Sequence, residues 1–275
     1  MPRAVVNGVE LFYEQRGTGD PVLFHHGYTG SRDNWQRAVE LLSPSYRCTI
    51  IDCRGAGDSG RPASGHTIEQ YAADTLALAD ALGLERFTFV GHSMGGVVGM
   101  ELGINHASRL EKLVLVAPAP ADGVQVLPGV RERSLALRAA RDRETLLRER
   151  KALSARYRPD EAHARAVDRA LSVSDAHYVE SWEALEASRR GDRLARVTTP
   201  TLVMAGAADG LLPANLKDFQ RLPNATLHVF SRVSHGIPYE APEEFAAALS
   251  DFLQHGVVTA ASLQAKLQAE AAAAR

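Results

Sequence analysis

The sequence has little cysteine, little net charge and no long apolar run. Its two cysteines, Cys48 and Cys53, have an odd spacing along one predicted strand, so they point to opposite faces and no local disulfide is expected. A net charge of −2 gives no attraction to nucleic acid or to an anionic membrane. No apolar run reaches the roughly eighteen residues of a membrane span, and the first residues lack a signal-peptide core. We therefore expect a protein of the reducing cytoplasm that acts on a small molecule.

Strands and helices alternate along most of the chain. The 275 residues, 45% apolar and 23% charged, are enough for one large globular domain with a covered core. Asn7-Gly8 predicts an opening hairpin. Apolar runs then predict strands at 21–25, 46–52, 87–90, 113–116, 200–206 and 225–230, and helices at 33–42, 67–82, 213–221 and 243–253. This order predicts the α/β class, with a mostly parallel, doubly wound sheet.

The alternation stops between residues 118 and 190, where the chain has no strand candidate. This segment is helical and charged, and its arginines and acids nearly cancel, which favours solvated helix faces over a nucleic-acid patch. We expect it to be a cap on a core made of residues 1–117 and 191–256. We expect Leu146 and Trp182 to line a pocket beneath it; the alternative is that they pack inside the cap. Residues 257–275 form a C-terminal extension to which we assign no chemistry.

A Gly-x-Ser-x-Gly stretch lies where the strand 87–90 must turn into a helix. A Cβ at Gly91 or Gly95 would clash in so tight a turn, and the turn leaves the Ser93 hydroxyl exposed at the positive end of the helix. The glycine spacing of a phosphate-binding loop is absent. The stretch therefore predicts a nucleophilic serine.

A nucleophilic serine needs a base that is oriented by an acid. Asp209 and His235 each follow the end of a later strand, on the sheet edge that carries Ser93, and the order Ser, Asp, His is the one expected for this turn. Asp122, shortly after the strand 113–116, is a second candidate for the acid. We favour Asp209, because two prolines separate Asp122 from its strand.

Two backbone amides should stabilise the oxyanion of the tetrahedral intermediate. Met94, directly after the nucleophile, supplies one, and Tyr28, in a loop that Gly27 allows to approach a ligand, supplies the other. The His25-His26 doublet could suggest a metal, but adjacent strand residues point apart and no third ligand is suitably spaced. We expect His26 to hold the loop, and neither a metal nor a cofactor to take part.

The sequence resembles the α/β-hydrolase family, in its capped branch of small esterases, lactonases and cofactor-free haloperoxidase-like proteins. Five stretches in family order carry the resemblance: His26-Gly27-Tyr28, Asp52 to Ser59, Gly91 to Gly96, Gly206-x-x-Asp209 and Ser234-His235. They specify the fold and the triad, and they say little about the substrate. The resemblance implies that the stretch from Asp52 to Ser59 is a structural loop near the site, with Arg54 and Asp58 as supporting groups.

These observations predict a serine hydrolase that cleaves a carboxylic ester or a lactone through an acyl-enzyme. The same triad could instead break a carbon–carbon bond next to a ketone, as in a β-diketone. A third hypothesis is that the protein is a ligand receptor that hydrolyses its ligand slowly. Serine at this turn argues against epoxide or haloalkane hydrolysis, for which related proteins use aspartate there. Pocket size and oligomeric state cannot be read from the sequence.

Overall fold

The computed structural model describes residues 2–273, in which one eight-stranded sheet runs through the molecule. Its strands are β1 (Arg3–Val6), β2 (Val9–Arg16), β3 (Pro21–His25), β4 (Arg47–Ile51), β5 (Phe87–His92), β6 (Leu110–Val116), β7 (Thr201–Gly206) and β8 (Ala225–Phe230). They lie in the order β1-β2-β4-β3-β5-β6-β7-β8. The pairs β1–β2 and β2–β4 are antiparallel, and every pair from β4 to β8 is parallel. The predicted α/β class and mostly parallel sheet are confirmed.

Helices cover both faces of this sheet. They are α1 (Gln36–Leu42), α2 (Ile68–Ala81), α3 (Met94–Asn105), α4 (Val130–Ala139), α5 (Arg143–Ala152), α6 (Asp160–Ser172), α7 (Asp175–Glu186), α8 (Leu212–Arg221), α9 (Ile237–Glu240), α10 (Pro242–His255) and α11 (Ala260–Ala273). Short 3₁₀ turns occur at Arg32–Trp35, Ala107–Arg109 and Gly191–Arg196. None of the described helices is both long and apolar enough to cross a bilayer.

The hydrophobic core has two parts, one on each side of the sheet. Helices α2 and α3 bury their apolar side chains in one part, and α1 and α10 bury theirs in the other. Cys53 belongs to the first part and Cys48 to the second, and both are free and buried. The prediction that the two thiols point to opposite faces is therefore confirmed.

Local signals in the sequence account for several of these boundaries. Asn7 and Gly8 both have positive φ, 47° and 76°, as a two-residue type I′ hairpin turn requires, and Val6 pairs with Val9 across it. The hydroxyl of Thr67 caps α2 by accepting the amide of Gln70 at 3.2 Å. The opening hairpin and the long second helix are thus confirmed.

One predicted helix is built differently. The helix expected over 33–42 begins as a 3₁₀ turn at Arg32 and becomes α-helical only at Gln36. Ser31 and Asn34 form a capping box, while the Arg32 amide donates to the buried carboxylate of Asp52 at 2.8 Å. Asp52 lies twenty residues away, so the local sequence does not show this contact.

Four helices, α4 to α7, connect β6 to β7, and no strand occurs among the residues between Val116 and Thr201. We call residues 118–190 the helical insertion. Its boundaries and its role as a cap remain predictions. The C-terminal residues form α11, whose leucines at 263 and 267 are exposed.

Candidate active site

Ser93 lies at a strained turn between β5 and α3. Its backbone has φ 54° and ψ −111°, a conformation that typically costs about 1–3 kcal/mol for a residue with a Cβ. A Cβ on Gly91 would lie 2.0 Å from the Gly95 carbonyl oxygen, and one on Gly95 would lie 2.4 Å from the carbonyl oxygen of His25. Both distances are far below van der Waals contact, so the turn requires glycine on both sides of the serine, as predicted.

Asp209 and His235 meet at the same end of the sheet. Asp209 follows β7 and His235 follows β8, two neighbouring parallel strands. The imidazole Nδ1 of His235 donates to Asp209 Oδ2 at 2.8 Å, and Asp209 Oδ1 accepts the amide of Leu211 at 3.0 Å. Burial acts to raise the pKa of Asp209, but these hydrogen bonds and the neighbouring imidazole hold it below its ordinary value. The carboxylate is thus ionised and fixes the His235 ring.

His92 links the serine turn to the histidine loop. Its Nε2 donates to the His235 carbonyl at 2.8 Å, and the two rings lie 4.9 Å apart between centroids. His92 directly precedes Ser93, so this bond connects the serine turn to the loop that carries His235. Burial lowers the pKa of His92 to about 3, so the ring is a neutral donor. Sequence reasoning missed this role, because the bond joins His92 to a residue 143 positions away.

Asp122, the other candidate acid, lies elsewhere. Its carboxylate accepts from Lys217 Nζ at 2.9 Å and from the guanidinium of Arg221 at 2.8 Å, on the exposed side of α8. These cations lower the pKa of Asp122. The geometry therefore joins Asp209, and not Asp122, to His235.

The loop after β3 is held firmly beside the serine. The Nδ1 of His26 donates to the Gly27 carbonyl at 2.8 Å, and its Nε2 accepts the Cys53 amide at 3.1 Å. Burial lowers the pKa of His26 to about 4 and that of His25 to about 3, so both rings are neutral. A Cβ on Gly27 would lie 2.9 Å from the Cβ of Ser93. His26 thus holds the loop as predicted, and Gly27 allows the loop to touch the turn at Ser93.

The two candidate oxyanion donors flank this contact. Met94 is buried and is the first residue of α3, so its amide has no acceptor within the helix. Tyr28 follows Gly27, and its phenol donates to the Tyr178 carbonyl in α7 at 2.6 Å. The Tyr28 ring also lies 5.4 Å from the ring of Trp182 in the same helix. Burial raises the pKa of the Tyr28 phenol, which is consistent with a structural donor. The loop beside Ser93 is thereby bonded to the helical insertion.

The loop from Asp52 to Ser59 is a buried polar support. Asp52 accepts the amides of Arg32 and Asp58 at 2.8 and 2.9 Å. Arg54 forms a two-pronged pair with the buried Asp74, at 2.6 and 2.7 Å. Asp58 pairs with the guanidinium of Arg32 at 2.8 Å. The contacts of Arg54 and Asp58 are those of supporting groups.

Small cavities lie between Tyr28 and the helical insertion. One, of about 190 Å³, is lined by Tyr28 and Leu146, and another, of about 70 Å³, by Tyr28 and Trp182. Both predicted insertion residues thus lie beside the loop that follows β3, while their effect on substrate choice stays a prediction. Among the described residues, no group of three His, Cys, Asp or Glu side chains is placed to hold a metal ion.

A serine on a strained strand-to-helix turn, above a mostly parallel sheet, is the architecture of the α/β hydrolases. The chain belongs to this family, since the family model described as "alpha/beta hydrolase fold" matches residues 20–242. It is 31% identical to a non-heme haloperoxidase of Rhodococcus erythropolis over 90% of this chain and 97% of the relative. It is 28% identical to a 2-hydroxy-6-oxononadienedioate/2-hydroxy-6-oxononatrienedioate hydrolase of Dechloromonas aromatica (strain RCB), over 90% and 91%. The enol-lactonase of Burkholderia xenovorans LB400 superposes with a TM-score of 0.81 at 26% identity, over 92% of this chain and all of that one.

Proposed function

We propose that this protein is a serine hydrolase that cleaves a carboxylic ester or a lactone. The observation that carries the proposal is the 2.8 Å hydrogen bond between Asp209 and His235 at the sheet edge where Ser93 turns into α3. A carboxylate in this position fixes the tautomer of the imidazole, so that Nε2 is free to accept the serine proton. We assign Ser93 as nucleophile, His235 as base and Asp209 as the acid that orients it.

In the acylation step, the Ser93 oxygen attacks the ester carbonyl while His235 Nε2 takes the hydroxyl proton. The amides of Met94 and Tyr28 donate to the oxyanion that forms. Collapse of the intermediate breaks the carbon–oxygen bond, and the proton on His235 passes to the departing alkoxide. In a lactone the departing oxygen stays attached to the acyl group.

Water then hydrolyses the acyl-enzyme by the reverse sequence. His235 removes a proton from water, the hydroxide adds to the acyl carbonyl, and the same amides stabilise the second oxyanion. The carboxylic acid leaves when the proton returns to Ser93. The ionised Asp209 stabilises the imidazolium in both halves of the cycle.

We further propose that residues 118–190 act as a cap over a core formed by residues 1–117 and 191–256. Bonds between the two parts support this: Tyr28 donates to the Tyr178 carbonyl at 2.6 Å, and the Ser174 amide donates to the carbonyl of Gly55 at 2.8 Å. Two free, buried cysteines agree with our expectation of a cytoplasmic location.

The relatives also support a second candidate, cleavage of a carbon–carbon bond next to a ketone. The Dechloromonas relative is by its name a hydrolase of a dienedioate with a 6-oxo group. The same triad would serve, with a carbanion as leaving group. A slow-turnover ligand receptor is the third candidate. A panel of simple esters, lactones and vinylogous diketones separates the three.

The direct test is labelling of Ser93. A fluorophosphonate should modify the protein once and abolish turnover of p-nitrophenyl butyrate, and Ser93→Ala should lose both labelling and at least about 10³-fold in rate. Ser64→Ala, which changes an exposed serine on a remote loop, is the matched control and should behave as the parent protein. Undiminished turnover in a folded Ser93→Ala variant would refute the proposal. Labelling without steady turnover of any ester, lactone or diketone would favour the receptor.

A further inference from the structure

A cavity of about 500 Å³ lies between the helical insertion and the core, and arginine dominates its lining. Arg150 reaches it from α5, Arg158 from the residues just before α6, and Arg165 and Arg169 from α6 itself. On the core side it is lined by the loop 29–31. We call this space the arginine cavity.

The carboxylates around the arginine cavity are already bound to other groups. Asp33 pairs with Arg169 at 3.0 Å, and Glu14 pairs with Arg32 at 2.7 Å. Glu240, which does not line the cavity, accepts the Ser234 amide at 3.0 Å and acts on Arg158 only through its charge. Five arginines and two carboxylates line the cavity, so positive charge there remains uncompensated.

Three arginines lack a negative partner. Within residues 2–273, Arg150, Arg158 and Arg165 take part in no ion pair and no side-chain hydrogen bond. Pairing is otherwise common in the same insertion, where Arg143 for example binds Asp168 at 2.6 Å. Three like charges that face one space repel each other, so the arrangement favours an anion between them.

Two of these arginines are partly withdrawn from water. The guanidinium of Arg158 lies 4.3 Å from the ring centroid of Tyr239, that of Arg150 lies 5.9 Å from the same ring, and the Nε of Arg150 is buried without a partner. Burial and the charges of Arg150 and Arg165 lower the pKa of Arg158, against the opposing effect of Tyr239 and Glu240. A bound anion would satisfy the buried donor and relieve the repulsion together.

A chain of side-chain contacts leads from the arginine cavity to the candidate catalytic residues. The ring of Tyr239, which Arg158 contacts, lies 6.3 Å from the ring of His92 between centroids. The ring of His92 in turn lies 4.9 Å from the ring of His235. Arg150 also lines the 190 Å³ cavity, which Tyr28 borders. Arg150 therefore faces both the arginine cavity and the cavity beside the loop that follows β3, which carries the candidate oxyanion donor Tyr28.

We propose that Arg150 and Arg158 bind a free carboxylate of the substrate, so that the ester or lactone is an anionic one. The two-pronged guanidinium geometry matches a carboxylate, and the buried Nε of Arg150 is a donor without a partner. This inference rests on the proposed hydrolysis of an ester or lactone. It further specifies that the substrate is negatively charged.

The kinetic test compares two esters of equal length. Mono-p-nitrophenyl glutarate carries the carboxylate, and p-nitrophenyl pentanoate does not. We expect the parent protein to prefer the anionic ester in kcat/KM, and this preference to fall at least about tenfold in Arg150→Gln and Arg158→Gln and to weaken with salt. The ratio of the two kcat/KM values is the readout, because a general loss of activity would lower the turnover of both esters alike. Arg148→Gln, which changes an exposed arginine on the same helix, should keep the preference.

Binding separates this inference from the proposed function. Calorimetry on Ser93→Ala, which cannot turn over, should detect glutarate, and Arg158→Gln in that background should abolish the heat. Glutarate binding without hydrolysis of any ester would leave the anion site standing and refute the hydrolase proposal. Ester hydrolysis with no anionic preference and no arginine-dependent binding would overturn the inference alone. Tighter binding of inorganic phosphate than of glutarate would overturn the choice of a carboxylate.

Discussion

Replacing Asp209 by Asn tests the proposed triad most directly. The carboxylate accepts the His235 Nδ1 proton at 2.8 Å and the Leu211 amide at 3.0 Å. An asparagine can keep the second bond with its carbonyl oxygen, but it then turns an NH₂ group toward His235. The ring must respond by placing its proton on Nε2, where it can no longer accept the proton of Ser93.

The expected loss is large. In serine proteases the same replacement lowers kcat by about 10⁴, which corresponds to about 5.5 kcal/mol in the barrier. Because Asn has nearly the shape of Asp, we expect the free energy of unfolding to change by no more than about 2 kcal/mol. Asp122→Asn is the matched control. It removes an exposed carboxylate that pairs with Lys217 and Arg221, so activity should stay within about tenfold.

The assay is kcat/KM on p-nitrophenyl butyrate at one pH, with circular dichroism and thermal melting to show that both variants are folded. The opposite ranking, with Asp122→Asn the more damaging change, would refute the assignment of the acid. Nearly full activity in both variants would show that His235 needs no carboxylate at all.

Three other predictions concern pocket, pH and packing. Leu146→Ala and Trp182→Ala should change the ratio of hexanoate to acetate ester turnover at least about threefold, because both side chains line cavities beside the loop after β3. Equal losses of turnover on both esters would show that the two side chains pack inside the insertion instead. The three neutral, buried histidines described above have pKa values of about 3, 4 and 3, below the unfolded value of about 6.5. Between these values the unfolded chain therefore binds more protons than the folded chain. The free energy of unfolding should fall as the pH falls from about 6.5 to 4, by up to about 1.4 kcal/mol per pH unit for each ring. A free energy of unfolding that does not change with pH in denaturant titrations would contradict this. Gly95→Ala should cost at least about 2 kcal/mol in the same titrations, because its Cβ meets a carbonyl oxygen at 2.4 Å, whereas Gly210→Ala, with no atom within 4 Å of the new Cβ, should be nearly neutral.

Short-range signals explain why much of the site could be predicted. The glycines around Ser93 are required by contacts within or close to the same turn. Parallel strands bring the residues that follow each strand, such as Asp209 and His235, to the same edge of the sheet. The bond from the Arg32 amide to Asp52 was missed, because the two residues are twenty positions apart. The link from His92 to the His235 carbonyl was missed for the same reason.

The ion pairs of the helical insertion could not be predicted from the sequence. Its composition nearly balances acids and bases, and many of its charges do pair, as Arg143 with Asp168 and Arg156 with Glu244. Which arginines remain unpaired depends on how α5 and α6 pack on the core. Arg150 and Arg158 therefore cannot be distinguished from their paired neighbours before the fold is known.

The hydrogen bond from Tyr28 to the Tyr178 carbonyl has a consequence for the evolution of this scaffold. The residues that follow β5, β7 and β8 are positioned by strand pairing within the sheet, and the helical insertion takes no part in that pairing. The acceptor in α7 is a backbone carbonyl, which every amino acid provides. With the cap role proposed above, substitutions in the insertion can therefore change which molecules are admitted while Ser93, Asp209 and His235 keep their positions.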